Sequence, residues 1–174
     1  MSETIKVLIS EEEVNQRIKE VASLISKDYE GKQVHLICVL KGGVFFTCEL
    51  AKRLEVPVSM DFMAVSSYGD GMESSGIIEM KKDLDESIEG KDVILVEDII
   101  DSGNTLSKLI PELLKRNPAS FKVCTLLDKP ARRQKQVDIS YTCFEVPDEF
   151  IVGYGLDYAQ KYRNLAYIGM VTKE

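Results

Sequence analysis

Apolar residues recur along this chain in two rhythms. Short aliphatic runs, Val34 to Leu40, Val58 to Val65, Ile77 to Lys81, Val93 to Val96, Phe121 to Leu127, Ile139 to Val146 and Leu165 to Val171, read as strands. Between them lie stripes at helical spacing. Val14, Ile18, Val21, Leu24 and Ile25 predict an amphipathic helix over residues 11 to about 29, with Ser10 and Glu13 as a capping box and Gly31 as its stop. A second helix is expected from Gly43 through about Leu54, and a third from the spacing of Leu106, Leu109, Ile110 and Leu113, with Asn117-Pro118 breaking the chain after it. Strand, glycine turn and helix in repeated order predict an α/β fold with a mostly parallel sheet flanked by helices.

The turns carry the chemistry. The strand Val93–Val96 runs into Glu97, Asp98, Ile99, Ile100 and Asp101, then the small polar turn Ser102-Gly103-Asn104-Thr105. Ligands of open α/β sheets bind beyond the carboxyl ends of strands, where helix N-termini point, and successive backbone N–H groups there can surround a phosphate. Carboxylates beside such a turn cannot bind phosphate, but they can hold magnesium, ribose hydroxyls or a developing cation. A second such unit ends in Lys41-Gly42-Gly43, which alone reads as a plain turn. Residues 66–76, rich in Ser and Gly, are expected to be a mobile loop, either decoration or a lid. Lys129 stands at the carboxyl end of a strand, where it is a surface lysine or part of a site, and residues 131–137 look like a solvated basic surface.

Composition narrows the function classes. A chain of 174 residues suits one domain, 1–174. A net charge of −7 disfavours nonspecific binding to nucleic acid or an anionic membrane. No apolar run is long enough to span a bilayer and the first residues are acidic, so the cytoplasm is the default location. Cys38, Cys48, Cys124 and Cys143 lack a Cys-x-x-Cys spacing and read as buried free thiols. The single histidine, His35, suits a solvated or hydrogen-bonded structural role, which leaves carboxylates, lysines and backbone amides to do the chemistry.

The stretch Glu97-Asp98-Ile99-Ile100-Asp101-Ser102-Gly103-Asn104-Thr105 resembles the phosphoribosyl-diphosphate (PRPP) binding motif of the type I phosphoribosyltransferases. Its wording, and the segment from Pro147-Asp148 through Phe150, Ile151, Leu156-Asp157-Tyr158 and Tyr162-Arg163, is similar to the hypoxanthine-guanine branch. The likeness runs from about residue 34 to 171. It implies the type I phosphoribosyltransferase fold, with a small hood from the N-terminal region and about residues 130–174, and transfer of phosphoribose from PRPP to N9 of a 6-oxopurine. By the same resemblance Glu97 and Asp98 hold the ribose hydroxyls and Mg2+. Asp101 accepts the purine proton, and Ser102, Gly103, Asn104 and Thr105 seat the 5′-phosphate, Asn104 through its backbone alone. Lys41, Gly42, Gly43 and Arg163 meet pyrophosphate, with a non-proline cis peptide between Lys41 and Gly42. Ser67 and Tyr68 belong to a closing flap. Lys129 donates to the purine O6, Phe150 stacks on the base, Ile151 contributes its backbone, and Asp157 lies near the base and a second metal. An ammonium at Lys129 would face the amino group of adenine donor to donor, so adenine is expected to be excluded. A homodimer or homotetramer is expected, supported by exposed aliphatic positions on the helix near 43–54. A PRPP-sensing regulator that binds nucleic acid would carry a basic face, which an acidic chain does not favour.

Overall fold

A computed structural model of the chain describes residues 2–67 and 78–173. Among them the order is β1 (Glu3–Ile9), α1 (Glu11–Asp28), β2 (Val34–Val39), α2 (Val44–Arg53), β3 (Val58–Ser67), β4 (Ile78–Lys82), β5 (Asp92–Ile100), α3 (Asn104–Leu114), β6 (Ser120–Asp128), a 3-10 turn over Pro130–Arg132, β7 (Tyr141–Glu145), β8 (Ile151–Val152) and β9 (Ile168–Lys173). Six strands form one sheet in the order β4-β3-β2-β5-β6-β7, and β1-β9-β8 form a second. In the large sheet β3, β2, β5, β6 and β7 run parallel, and β4 is antiparallel to β3. The small sheet is antiparallel and ties the beginning of the chain to its end.

The strand pattern follows from burial on both faces. Every residue of β2 is buried, and in β5 Val93, Ile94, Leu95 and Val96 are wholly so. Successive side chains point to opposite faces. Ile94 and Val96 join Leu36, Cys124 and Leu126 under α1 and α2, whereas Val93 and Leu95 join Ile37, Val39 and Met63 under Leu106, Leu109 and Leu113 of α3. Helices on both faces hide a parallel sheet that could not face water.

The capping box on α1 forms in both directions. The Ser10 N–H donates to Glu13 Oε2 at 2.8 Å and the Glu13 N–H to Ser10 Oγ at 3.2 Å. Val14, Ile18, Val21 and Ile25 are buried as expected, but Leu24 is 51% exposed. At about 100° per residue Leu24 lies roughly a quarter-turn off the buried stripe. Cys38, Cys124 and Cys143 are buried, and Cys48 is exposed because it falls on the outer side of α2. Ser66 and Ser67, expected to open a loop, are the last residues of β3, held in its ladder with β4 by the pairings Ser66–Glu79 and Ser67–Ile78. β1 is a strand missing from the expected elements: Ile5 stands between Thr4 and Lys6, but Val7, Leu8 and Ile9 are consecutive apolar residues and break the alternation. β7 lies within the range expected for the hood and extends the large sheet instead.

Candidate active site

β5 is longer than its apolar run suggests. It continues through Ile100, so Glu97 and Asp98 stand on the strand itself and Asp101 is the first residue beyond it. The chain then turns through Gly103 at φ +78, a left-handed conformation that favours glycine, into α3. A Cβ on Gly103 would also strike the Lys135 carbonyl oxygen. Within the turn Asp101 Oδ1 accepts from the Ser102 N–H at 2.6 Å and Ser102 Oγ accepts from the Asn104 N–H at 3.2 Å. The Ser107 N–H donates to the Gly103 carbonyl at 2.9 Å, closing the first turn of α3. Gly103 has no side chain to cap the first-turn N–H groups, which leaves that end of α3 with positive character.

The loop between β2 and α2 is pressed against this edge. The cis peptide bond is Leu40–Lys41, one bond earlier than expected, and the Leu40 N–H remains bonded to the Met63 carbonyl at 2.8 Å. Gly42 lies so close to Asp98 that an added Cβ would overlap the carboxylate. On its other side Gly155, at φ +102, approaches so near that a Cβ there would overlap the Gly42 carbonyl. Gly43 is equally confined, since a Cβ would sit 2.8 Å from the Val39 carbonyl. Lys41, next to them, is exposed. Glycine at these positions is therefore a matter of space.

Arg163 enters from the same side. Its Nη1 donates to the Gly155 carbonyl at 2.7 Å, its Nη2 to Gln160 Oε1 at 3.1 Å, and Nη2 lies 3.4 Å from Asp157 Oδ1. The Asp157 carboxylate also accepts from the Gln160 N–H at 2.9 Å. Burial raises the Asp98 carboxyl to about 6 despite backbone N–H bonds and the Arg163 charge, which act the other way. Burial likewise raises Glu97 well above the usual carboxylate range, helped by the charge of Asp98, a hydrogen bond to it and the charge of Asp101. The edge thus holds a buried carboxyl group at Glu97 and a half-buried one at Asp98, both in surroundings that disfavour their charge, beside an exposed third at Asp101.

At the end of β6, Lys129 Nζ donates to the Glu149 carbonyl at 2.8 Å, which brings it beside Phe150. Phe150 is 52% exposed and meets Tyr158 edge-on, with centroids 5.1 Å apart. Ile151 is buried in β8, opposite Met170. The Lys129 N–H donates to the Ile100 carbonyl at 2.9 Å, so the ends of β5 and β6 are joined directly. Tyr68 lies outside the described residues, and Ser67 is placed only as the last residue of β3. Among the described residues no group of three or more His, Cys, Asp or Glu is arranged to hold a metal, so Glu97, Asp98 and Asp157 do not make one cluster. Glu97 and Asp98 form a pair, and the guanidinium of Arg163 pairs with Asp157 while its charge also acts on Asp98.

Most of the run 131–137 is exposed, as expected of a solvated surface, but Arg133 departs from that expectation. Arg133 is bound to the acidic loop and to Asp128, and the N–H groups of Gln134 and Lys135 donate to the Ser102 carbonyl at 2.8 and 3.0 Å. Nothing in the local sequence distinguishes this from a solvated surface, because every acceptor except Asp128 lies about thirty residues earlier. Gly155 was missed for the same reason: its partner Gly42 is remote in sequence.

Comparison with known proteins places this geometry. The family model for the phosphoribosyl transferase domain matches residues 9–159. The chain is 49% identical over 174 residues to a hypoxanthine phosphoribosyltransferase of Salmonella typhimurium, covering 99% of this chain and 98% of that one. It is 49% identical over 169 residues to a hypoxanthine-guanine phosphoribosyltransferase of Streptococcus thermophilus, covering 97% and 94%. A crystal structure of a hypoxanthine-guanine phosphoribosyltransferase from Bacillus anthracis superposes with a TM-score of 0.93 at 47% identity, covering 97% of this chain and 100% of that chain.

Proposed function

Since the chain belongs to the phosphoribosyl transferase family, we propose that it is a purine-salvage enzyme that moves the 5-phosphoribosyl group of PRPP to N9 of hypoxanthine or guanine. The products are IMP or GMP and pyrophosphate, and xanthine is the third base to be tried. The observation that carries the choice of base is the junction of β5 and β6. Lys129 and Asp101 stand at the ends of neighbouring parallel strands, joined through the Lys129 N–H and the Ile100 carbonyl at 2.9 Å.

In this reading the C1′–O bond to pyrophosphate breaks as N9 attacks, and positive charge builds on the ribose ring. Nearby carboxylates stabilise such a ring, as in glycoside chemistry. Glu97 and Asp98 hold the ribose hydroxyls. The exposed Asp101 takes the purine proton, a step that a positioned carboxylate accelerates. The turn Ser102-Gly103-Asn104-Thr105 seats the 5′-phosphate on the N-terminal end of α3, where Gly103 supplies no capping side chain. Lys41, Gly42, Gly43 and Arg163 receive the leaving pyrophosphate. Lys129 donates to O6, exchanging the Glu149 carbonyl for the base, while Phe150 stacks on the ring, Ile151 offers its backbone and Asp157 lies close by. The flap assigned to Ser67 and Tyr68 excludes water from the reacting sugar.

A magnesium ion suits the donor set, because two adjacent carboxyl groups whose charge is disfavoured gain from a cation, and Mg2+ takes one or two carboxylates and leaves its other positions to water and phosphate oxygens. Glu97 and Asp98 would hold it, with Asp157 serving a second ion. When bound, Mg2+ offsets the charge on pyrophosphate. We place the reaction in the cytoplasm. The hood is formed by the sheet β1-β9-β8 and the segments around it. The enzyme works as a homodimer or homotetramer; the aliphatic residues of α2 expected to be exposed are buried or half-buried, and the exposed aromatic residue there is Phe45, at 44%.

The test is nucleotide formation from PRPP with hypoxanthine, guanine, xanthine, adenine and uracil. IMP and GMP are expected, and absence of product with every 6-oxopurine overturns the reading.

A further inference from the structure

Arg133 is bound on three sides. Its Nε donates to the Asp101 carbonyl at 2.9 Å, its Nη2 donates to the Ile100 carbonyl at 3.4 Å, and the same Nη2 pairs with the Asp128 carboxylate. The two side chains of that ion pair are only 16% and 19% exposed. The planar guanidinium fork offers its donors in fixed directions, and an ammonium cannot span the same acceptors. Asp128 is the last residue of β6 and immediately precedes Lys129. Arg133 therefore joins the end of one strand to the loop that leaves its neighbour.

The position of Asp101 depends on its backbone. The hydrogen bond found for its carboxylate is to the Ser102 N–H at 2.6 Å, within its own turn, and the side chain is otherwise exposed. A carboxylate so placed goes where its peptide goes. Donors from the 129–135 segment occupy the carbonyls of Ile100, Asp101 and Ser102 in succession, and Asn104 Nδ2 adds a bond of 3.0 Å to Gln134 Oε1. Carbonyl oxygens that would repel an arriving phosphate are thereby already bonded.

We propose that Arg133 is a positioning residue. By holding the Ile100 and Asp101 carbonyls against Asp128 at the root of Lys129, it sets the separation between the carboxylate that takes the purine proton and the ammonium that reads the purine oxygen. This rests on the function proposed above. Displacing a reacting group by about 1 Å can slow a reaction by on the order of a hundredfold, whereas binding through Phe150, Arg163 and the α3 amides does not require that separation.

The test uses three variants beside the wild type. Arg133→Met leaves the poorly exposed Asp128 carboxylate without its partner and is expected to melt earlier. Arg133→Met/Asp128→Asn removes that burden and serves as the informative variant. It should unfold near the wild-type temperature, with kcat for IMP formation lowered at least about tenfold and KM for PRPP and hypoxanthine within about threefold, the signature of an interaction that matters in the transition state. Arg133→Lys, which keeps the charge without the fork, should fall between wild type and the double variant. A double variant whose kcat stays within about twofold of the wild type overturns the inference, as does a loss confined to KM. If the wild type itself makes no nucleotide, the proposed function fails and takes this inference with it. A normal variant beside an active wild type defeats the inference alone.

Discussion

The large sheet buries ionisable groups near both of its ends and treats them differently. At the amino end His35 is 2% exposed, and its Nδ1 is 2.7 Å from Ser59 Oγ. Nearby, Asp61 Oδ2 accepts from the N–H groups of Asp85 and Glu86 at 2.8 and 3.2 Å. Burial, reinforced by Lys91, pushes the imidazole below its usual range. At the carboxyl end burial pushes Glu97 and Asp98 upward, and Gly42 stays against Asp98 where no side chain fits. One end pairs the Asp61 carboxylate and His35 Nδ1 within the chain, and leaves only His35 Nε2 and the Tyr29 hydroxyl buried without a partner among the described residues. The other keeps carboxyl groups in a costly state beside bare backbone, an arrangement that a cation and a sugar phosphate would relieve. The difference separates a region that maintains the fold from a region that performs chemistry.

If that separation is real, changes at the carboxyl end reduce turnover without lowering stability, and changes at the amino end do the reverse. The largest effect is expected from Asp101→Asn, which removes the proton acceptor. Steady-state assay of IMP formation should show a loss of about 10²–10⁴ in kcat, with an unchanged melting temperature. Gly42→Ala drives a methyl group into the Asp98 carboxylate and should lower kcat/KM by about a hundredfold in the same assay. Lys129→Ala should narrow the preference for hypoxanthine over adenine by about tenfold in competing-base assays, since a donor facing a donor costs about 1–3 kcal/mol. Adenine excluded as strongly as before would show that another residue sets the choice.

The smallest effects are pH slopes of opposite sign. The folded-state pKa of His35 is lowered, so the unfolded chain takes up the proton first. Stability is therefore fully present above about 6.5 and declines as the pH falls below it. His35→Gln should flatten that decline in thermal melts and leave kcat at neutral pH unchanged. The folded-state pKa of Asp98 is raised, so here the folded chain holds the proton longer, and stability declines as the pH rises from the ordinary aspartate range to about 6. Asp98→Asn should reduce this second slope in melts recorded without divalent cations, leaving the part that the raised Glu97 contributes. Slopes of the same sign at the two ends would erase the contrast drawn here.

Much of the fold was legible because burial writes a period into the chain. The doubly covered strands were continuous apolar runs, and α1 announced itself through Ser10, Glu13 and the stripe from Val14 to Ile25. Leu24 and Cys48 escaped because an apolar residue one step off a stripe is indistinguishable from one on it until the partner face is known. β1 escaped because Val7, Leu8 and Ile9 run together without alternation, much of the strand is exposed, and its partner β9 lies at the other end of the chain. In the site, the acidic run and its turn were readable as a local pattern. The arginine that holds them was not, for Arg133 sits in a basic stretch like any solvated surface.

The sequence alone determined the order of strands and helices from α1 to β7, the glycine turns, the acidic loop and the resemblance that named its chemistry. These are properties of neighbouring residues, set by steric limits on the backbone and by the periods of helix and strand. Tertiary structure alone decided that Gly155 would meet Gly42, that the charge of Arg163 would act on Asp98, and that Arg133 would join Asp128 to the carbonyls before Ser102. Each of these contacts depends on where separate elements come to rest, and that is fixed by packing across the sheet rather than by the preferences of any local segment.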